Sequence, residues 1–262
     1  MDLTGIENEA EFFPAGTLSE VLATELADIT AQWSKLDRAD RPVERIASSA
    51  DRVLALLSQL RNTTDRTTRS DLHRQIGVLV AQSLGYTVKR NAIASAHDDG
   101  GVISVTNQTF DGDGRCQLWV IDTPVTGAGE EDADPLGIAF SDEQFDGDVA
   151  EDLNDLAIEE LIEKGIFEQA DSPRYLLIAG TSQWVLVDSR KWPARSVLRF
   201  NLQEIFSRQD KDTYRVMACL IAREARVPQT GAPLSDRLEE EAQRNANAVT
   251  SSLKRTVRDA IE

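Results

Sequence analysis

Apolar positions repeat at a helical period in three early stretches, and the chain then switches to strand-like alternation. Thr17-Leu18-Ser19-Glu20 has capping-box spacing, and Leu18, Val21, Leu22, Leu26, Ile29 and Trp33 follow on one face, predicting a helix over about 18–35. Beyond Pro42, Ile46, Val53, Leu57 and Leu60 line a second helix, which the polar run Asn62-Thr63-Thr64-Asp65 ends. A third is expected from near Ser70 through Leu72, Ile76, Val80 and Leu84, with Gly85 as its C′ residue. The period then shortens. Tyr86 to Arg90 reads as a short strand, Val102 to Phe110 and Cys116 to Val125 as a hairpin turning at Asp111-Gly112-Asp113-Gly114, and Tyr175 to Ala179 with Gln183 to Val187 as another. Between the hairpins, Leu153, Leu156, Ala157 and Leu161 suggest a helix ending at Gly165.

Short helices are expected from Asn201 or Leu202 to Phe206 and from Tyr214 to Ala225. After a linker from Pro228 to Pro233, one stripe (Leu234, Leu238, Ala242, Ala246, Val249, Leu253, Val257, Ile261) runs to the last residues without a capping signal, as in a helix that continues into further protein. This order of elements describes a mixed α/β (α+β) fold, a mixed β-sheet with helices on both sides and helical N- and C-terminal flanks.

Composition changes this picture in one respect. The net charge of −17 is concentrated between Ala128 and Asp171, where sixteen Asp and Glu face the single Lys164; that segment carries −15 and the remainder only −2. Such a segment repels phosphates and does not lie along a duplex; a solvated loop and helix face is its plain reading. Two cysteines, Cys116 and Cys219, make no disulfide framework and fit a reducing, cytoplasmic setting. With only His73 and His97 beside them, a structural zinc site is not expected. No apolar run is long enough to span a bilayer, and the acidic start of the chain is not a signal peptide.

Several strings carry a family resemblance. The third helix, the hairpin ending Gln117-Leu118-Trp119-Val120-Ile121-Asp122, the acidic helix and Arg174-Tyr175-Leu176-Leu177-Ile178-Ala179-Gly180 resemble the restriction-endonuclease-like fold. Gly5-Ile6-Glu7-Asn8-Glu9-Ala10-Glu11-Phe12-Phe13, Lys191-Trp192, Leu198 to Phe206 and the Ser251-Ser252-Leu253-Lys254 helix are similar to the N-terminal region of large adenine-specific DNA methyltransferases of type IIG restriction-modification and phage-defence systems. The resemblance implies a helical flank at 1–66, a restriction-endonuclease-like domain at 67–227, and a linker and helix at 228–262 that lead toward, or dock on, a methylase domain or subunit. S-adenosylmethionine belongs to that methylase part. This chain has no Asn-Pro-Pro-Tyr or Asp-Pro-Pro-Tyr loop to hold a flipped adenine. Asp134-Pro135-Leu136-Gly137, without a preceding strand, reads as a turn.

Nucleases of this fold place one acid on a strand and an (Asp/Glu)-x-Lys on the next. The carboxylates hold Mg²⁺, which polarises the phosphate and acidifies the attacking water. Here the second strand ends Ile121-Asp122-Thr123-Pro124, with Pro124 where lysine is expected, and Val102 to Thr106 carries no acid. Asp122 with Asp98 or Asp99 is therefore the candidate, degenerate catalytic set; Asp111 and Asp113 read as turn residues, and no metal ligand set is assigned. Arg66, Arg69, Arg74, Lys89 and Arg90, with Arg61, gather around the third helix as candidate DNA-phosphate contacts, against a plain reading as solvated helix surface. The leading expectation is an accessory or scaffold domain without catalysis of its own. An active Mg²⁺-dependent endonuclease, and an acidic interaction module or DNA mimic, stay open as alternatives.

Overall fold

The computed structural model describes residues 3–14, 17, 22–96, 101–140, 156–228 and 231–244. Its centre is a six-stranded mixed sheet in the order β1-β8-β7-β6-β5-β4, built from β1 (Ile6–Glu9), β4 (Asn107–Phe110), β5 (Cys116–Asp122), β6 (Tyr175–Ala179), β7 (Gln183–Asp188) and β8 (Val197–Asn201). Only β5 and β6 run parallel; the remaining pairs are antiparallel. A separate two-stranded sheet pairs β2 (Asn91–Ala94) with β3 (Val102–Val105).

Period-two alternation sends side chains of the central strands into two different cores. Leu118 and Val120 of β5, Tyr175 and Leu177 of β6, Trp184 and Leu186 of β7, and Leu198 and Phe200 of β8 pack with the helices α1 (Leu22–Trp33), α2 (Pro42–Arg61), α3 (Arg66–Ser83), α5 (Leu202–Ser207) and α6 (Lys211–Ile221). Their neighbours Trp119, Ile121, Leu176, Ile178, Val185, Val187 and Val197 meet Ile103, Val105, Phe140 and a helical turn formed by α4 (Ile158–Glu160) and a π-turn over Leu161–Ile166. This explains why β6 and β7 read as continuous apolar runs. The four tryptophans, Trp33, Trp119, Trp184 and Trp192, are all buried, as core packing requires. No described helix is long and apolar enough to cross a membrane.

Local capping chemistry sets several boundaries. The Asp65 carboxylate accepts from the Thr68 amide and starts α3 at Arg66, four residues before the expected Ser70. Asp210 accepts from the amides of Asp212 and Thr213 and starts α6 at Lys211 rather than at Tyr214; α6 ends at Ile221, and α7 (Arg223–Arg226) follows after a break at Ala222. Asn201 caps α5 as expected. The cap expected for α1 at 17–20 falls largely outside the described residues, and α1 is described from Leu22.

Two strand expectations are corrected. Tyr86 to Arg90 is extended but not a ladder strand: the Tyr86 amide donates to Ala81 O, the Thr87 carbonyl accepts from Asn107 Nδ2 at 2.6 Å, and a single backbone bond, Lys89 N to Thr106 O at 2.9 Å, joins it to the chain at the β3–β4 break. Val102 to Phe110 is two strands, not one. At Thr106 the chain leaves β3 and enters β4, with the Thr106 amide donating to Val120 O at 2.8 Å. The β4–β5 hairpin forms as expected, and β5 stops at Asp122, before Pro124. The helix expected across the acidic segment is corrected where it is described: Leu156 and Ala157 are extended, Ala157 bridging Ala139 and Phe140 N donating to Leu156 O at 2.7 Å, and the helix begins only at Ile158, while Leu153 lies outside the described residues. Asp134-Pro135-Leu136-Gly137 forms a single 3₁₀ turn with Asp134 accepting from the Leu136 amide.

The segment 1–66 is woven into this body. Ile6 to Glu9 pair with Phe200 to Val197, and α2 packs on α3, α5 and α6. After β1 the chain turns through Ala10 and Glu11, both in left-handed conformation (φ 47° and 54°). Asn8 holds the turn by exchanging two bonds with Phe13 at 2.9 Å, Ser196 donates to Ala10 O at 2.6 Å, and Lys191 donates to Phe12 O. That clasp places Phe12 and Phe13 in the core with no exposure. Replacing Phe13 with Ala should cost about 3–5 kcal/mol, read as a single cooperative shift of the whole unfolding transition; a loss confined to a separate early transition would show that 1–66 folds independently.

Candidate functional site

The end of β5 turns the Asp122 side chain toward α3, because Leu118, Val120 and Asp122 alternate onto one face. Helix α3 can approach this point because it carries Gly77 there: a Cβ at Gly77 would lie 3.3 Å from Asp122 Oδ1. His73 sits one turn earlier on the same helix face. Asp122 Oδ2 accepts from the Thr106 hydroxyl at 2.8 Å and from Arg90 Nη2 at 3.2 Å. The break between β3 and β4 thus has a chemical role, since Thr106, at the break, is the residue that bonds Asp122.

A small cavity of about 30 Å³ opens here, lined by Ser70, His73, Arg74, Arg90, Ser104, Asp122, Thr123, Pro124 and Val125. It admits one or two waters or a small ion, not a nucleotide. His73 is buried, and its Nε2 lies 2.9 Å from the Thr123 carbonyl. A carbonyl only accepts, so Nε2 carries the proton and Nδ1 is a bare acceptor with no donor among the described residues. Burial pushes the His73 pKa down, with the charge of Asp122 pulling the other way, so the ring is neutral near pH 7. Pro124 also lines the cavity and brings no amine to it.

The candidate residues separate. Asp122 is in the cavity; Asp98 and Asp99 lie outside the described residues, as does His97. Asp111 is a turn residue: its Oδ1 accepts from the amides of Asp113 and Arg115, both at 2.9 Å. Among the described residues no group of three or more His, Cys, Asp or Glu is placed to share a metal ion. Both cysteines are free. Arg66 and Arg74 are exposed along one stripe of α3 with Ser70 between them, and Lys89 is exposed beside them in sequence to Arg90.

Arg69 is a correction. Its guanidinium is buried and donates to the carbonyls of Leu60, Thr63, Thr126 and Gly127 and to Glu131 Oε1 at 2.8 Å, so it cannot reach a DNA phosphate. It ties the α2–α3 connection to the loop after β5. Arg90 is likewise turned inward, onto Asp122. Sequence reasoning missed Thr106, His73 and Gly77 as parts of the site; the signal available was that His73 and Gly77 fall on the apolar face of the third helix.

No family model matches the chain, and neither a curated protein nor a solved structure is similar to it.

Substituting Arg69 with Met should destabilise by about 3–5 kcal/mol, because Glu131 and four carbonyls lose their donor. Arg74→Ala, at the exposed rim, should stay within about 0.5 kcal/mol. Paired denaturant melts test this; similar small effects for both would refute the structural role of Arg69.

Proposed function

We propose that this chain is a nuclease-like accessory module of a DNA adenine methyltransferase system, and that it has no cleavage chemistry of its own. The observation that carries the second half is the state of Asp122. Its Oδ2 already holds the Thr106 hydroxyl and the Arg90 guanidinium, so a protein cation occupies the position where a nuclease holds Mg²⁺. Mg²⁺ demands near-octahedral oxygen ligands at about 2.0–2.1 Å and would have to displace that guanidinium. Pro124 offers no amine to orient a water, and the neutral His73 presents a lone pair rather than a positive charge.

The methyltransferase half of the reading rests on the resemblance of the strings at Gly5 to Phe13, Lys191-Trp192 and Leu198 to Phe206. All three meet in the fold: Lys191 clasps the turn at Phe12, and β8 pairs with β1. A structural reason for these strings to occur together supports the comparison. In this reading Arg66, Arg74 and Lys89 supply sequence-independent phosphate contacts beside the Asp122 cavity, and S-adenosylmethionine is bound by the methylase part alone.

Supercoiled plasmid incubated with the protein and Mg²⁺ or Mn²⁺ should remain uncut, and Asp122→Ala should leave that result unchanged. Cleavage that disappears in Asp122→Ala would overturn the non-catalytic reading in favour of a metal-dependent endonuclease.

A further inference from the structure

The last described helix, α8 (234–244), lies on a face of the body dense in cations. Asp236 is gripped by both Nη atoms of Arg174, with Nη1 at 2.7 Å from Oδ2, and Arg190 stands 3.6 Å away. Glu239 pairs with Lys191 at 2.6 Å, while Ser235 and Tyr175 share a hydroxyl–hydroxyl bond of 2.7 Å. Leu234 and Leu238, one turn apart, are the apolar anchors and are buried in the main core, Leu234 near Ile29 and Trp33 of α1 and Ala225 of α7. Arg237 makes the reverse contact, to Glu25 of α1 at 2.5 Å. Two apolar anchors at i and i+4 flanked by charges are the mode by which an amphipathic helix fills a groove.

One cation beneath α8 is badly served. Arg226 is 1% exposed and stacks 5.2 Å from the Tyr175 ring centroid, yet Nε, Nη1 and Nη2 all lack an acceptor among the described residues. Burial pushes the carboxyl of Asp236 up, but Arg174, helped by Arg190 and Arg226, holds it below the ordinary carboxylate range, so Arg226 lies within electrostatic reach of this helix. A buried guanidinium without an acceptor costs free energy that a carboxylate in contact would recover. The helix α8 offers Ser235 and Asp236 here, but their oxygens are engaged by Tyr175 and Arg174. The face uncovered by removing α8 would present Arg174, Arg190, Lys191 and Arg226 against Asp188 and Glu25. Just before α8, Gly231 at φ +81° and Pro233 lie outside the helix.

We propose that this face is a receptor groove for an acidic amphipathic helix of a partner protein, occupied in cis by α8, and that a partner displaces α8 by bringing one further carboxylate to Arg226. The inference stands independently of the nuclease-like reading. Its occupant is a helix rather than a nucleic acid, because the groove takes two buried leucines as well as the acids.

The test uses the full chain carrying Asp236→Ala and Glu239→Ala, and fluorescent peptides of the 231–244 sequence. Amide exchange at 234–244 should accelerate by about tenfold or more while β6 and β7 keep their protection. The peptide should bind this variant about tenfold more tightly than the parent chain, and a peptide carrying Ser235→Asp more tightly again. Adding Arg226→Met should erase that second gain alone. Should β6 and β7 lose protection, Glu239→Ala by itself serves the same comparison. Equal peptide binding to parent and variant, no binding to the opened variant, or preference for an oligonucleotide over the peptide would each overturn the proposal.

Discussion

A carboxylate at the end of a strand that is covered on both faces has to be neutralised by something within reach. That constraint organises the region around Asp122. Helix α3 covers it at Gly77, the strand pair β4–β5 presents Thr106 to it, and the extended segment before β2 delivers Arg90. Each of these features looks incidental alone: a glycine inside a helix, a break between two strands, a predicted strand that does not form. Together they build a small, internally compensated site with room for about one or two waters. The same physics recurs at Arg69, whose buried charge is matched by Glu131 and four carbonyls.

Much of the architecture was legible because period and capping are local signals. The three early helices, both hairpins and the Asn201-capped helix follow from spacing and turn residues. The edge strand β1 was not legible: Ile6-Glu7-Asn8-Glu9 carries one apolar residue, and its pairing with β8 depends on the distant clasp of Lys191 over Phe12. Likewise β8 reads as the approach to a helix, and β2 (Asn91–Ala94) has too little apolar content to announce itself. Extended conformation at Tyr86 to Arg90 was readable; that its bonds would go to Ala81, Asn107 and Thr106 one at a time rather than to a partner strand was not.

The site was half legible for a related reason. Asp122 stands out by sequence because a strand ends on it, and Pro124 because it cannot act as a lysine. The roles of the cations depend on helix phase. Arg69 and Arg74 are alike as residues, but Arg69 shares a face with Leu72, His73 and Ile76 and is buried, whereas Arg74 points out. Counting charges around the third helix therefore overstated its basic surface. At the other end of the body, the first two residues of the C-terminal stripe, Leu234 and Leu238, are used within the chain itself, which narrows what that helix can offer to another domain.

The central claim, that Arg90 holds the place of a metal at Asp122, is most directly tested by Mn²⁺ titration followed by electron paramagnetic resonance. The parent chain should show no saturable Mn²⁺ site that depends on Asp122 at millimolar-order concentrations. A Mn²⁺ site present in the parent chain and lost in Asp122→Asn would contradict the account.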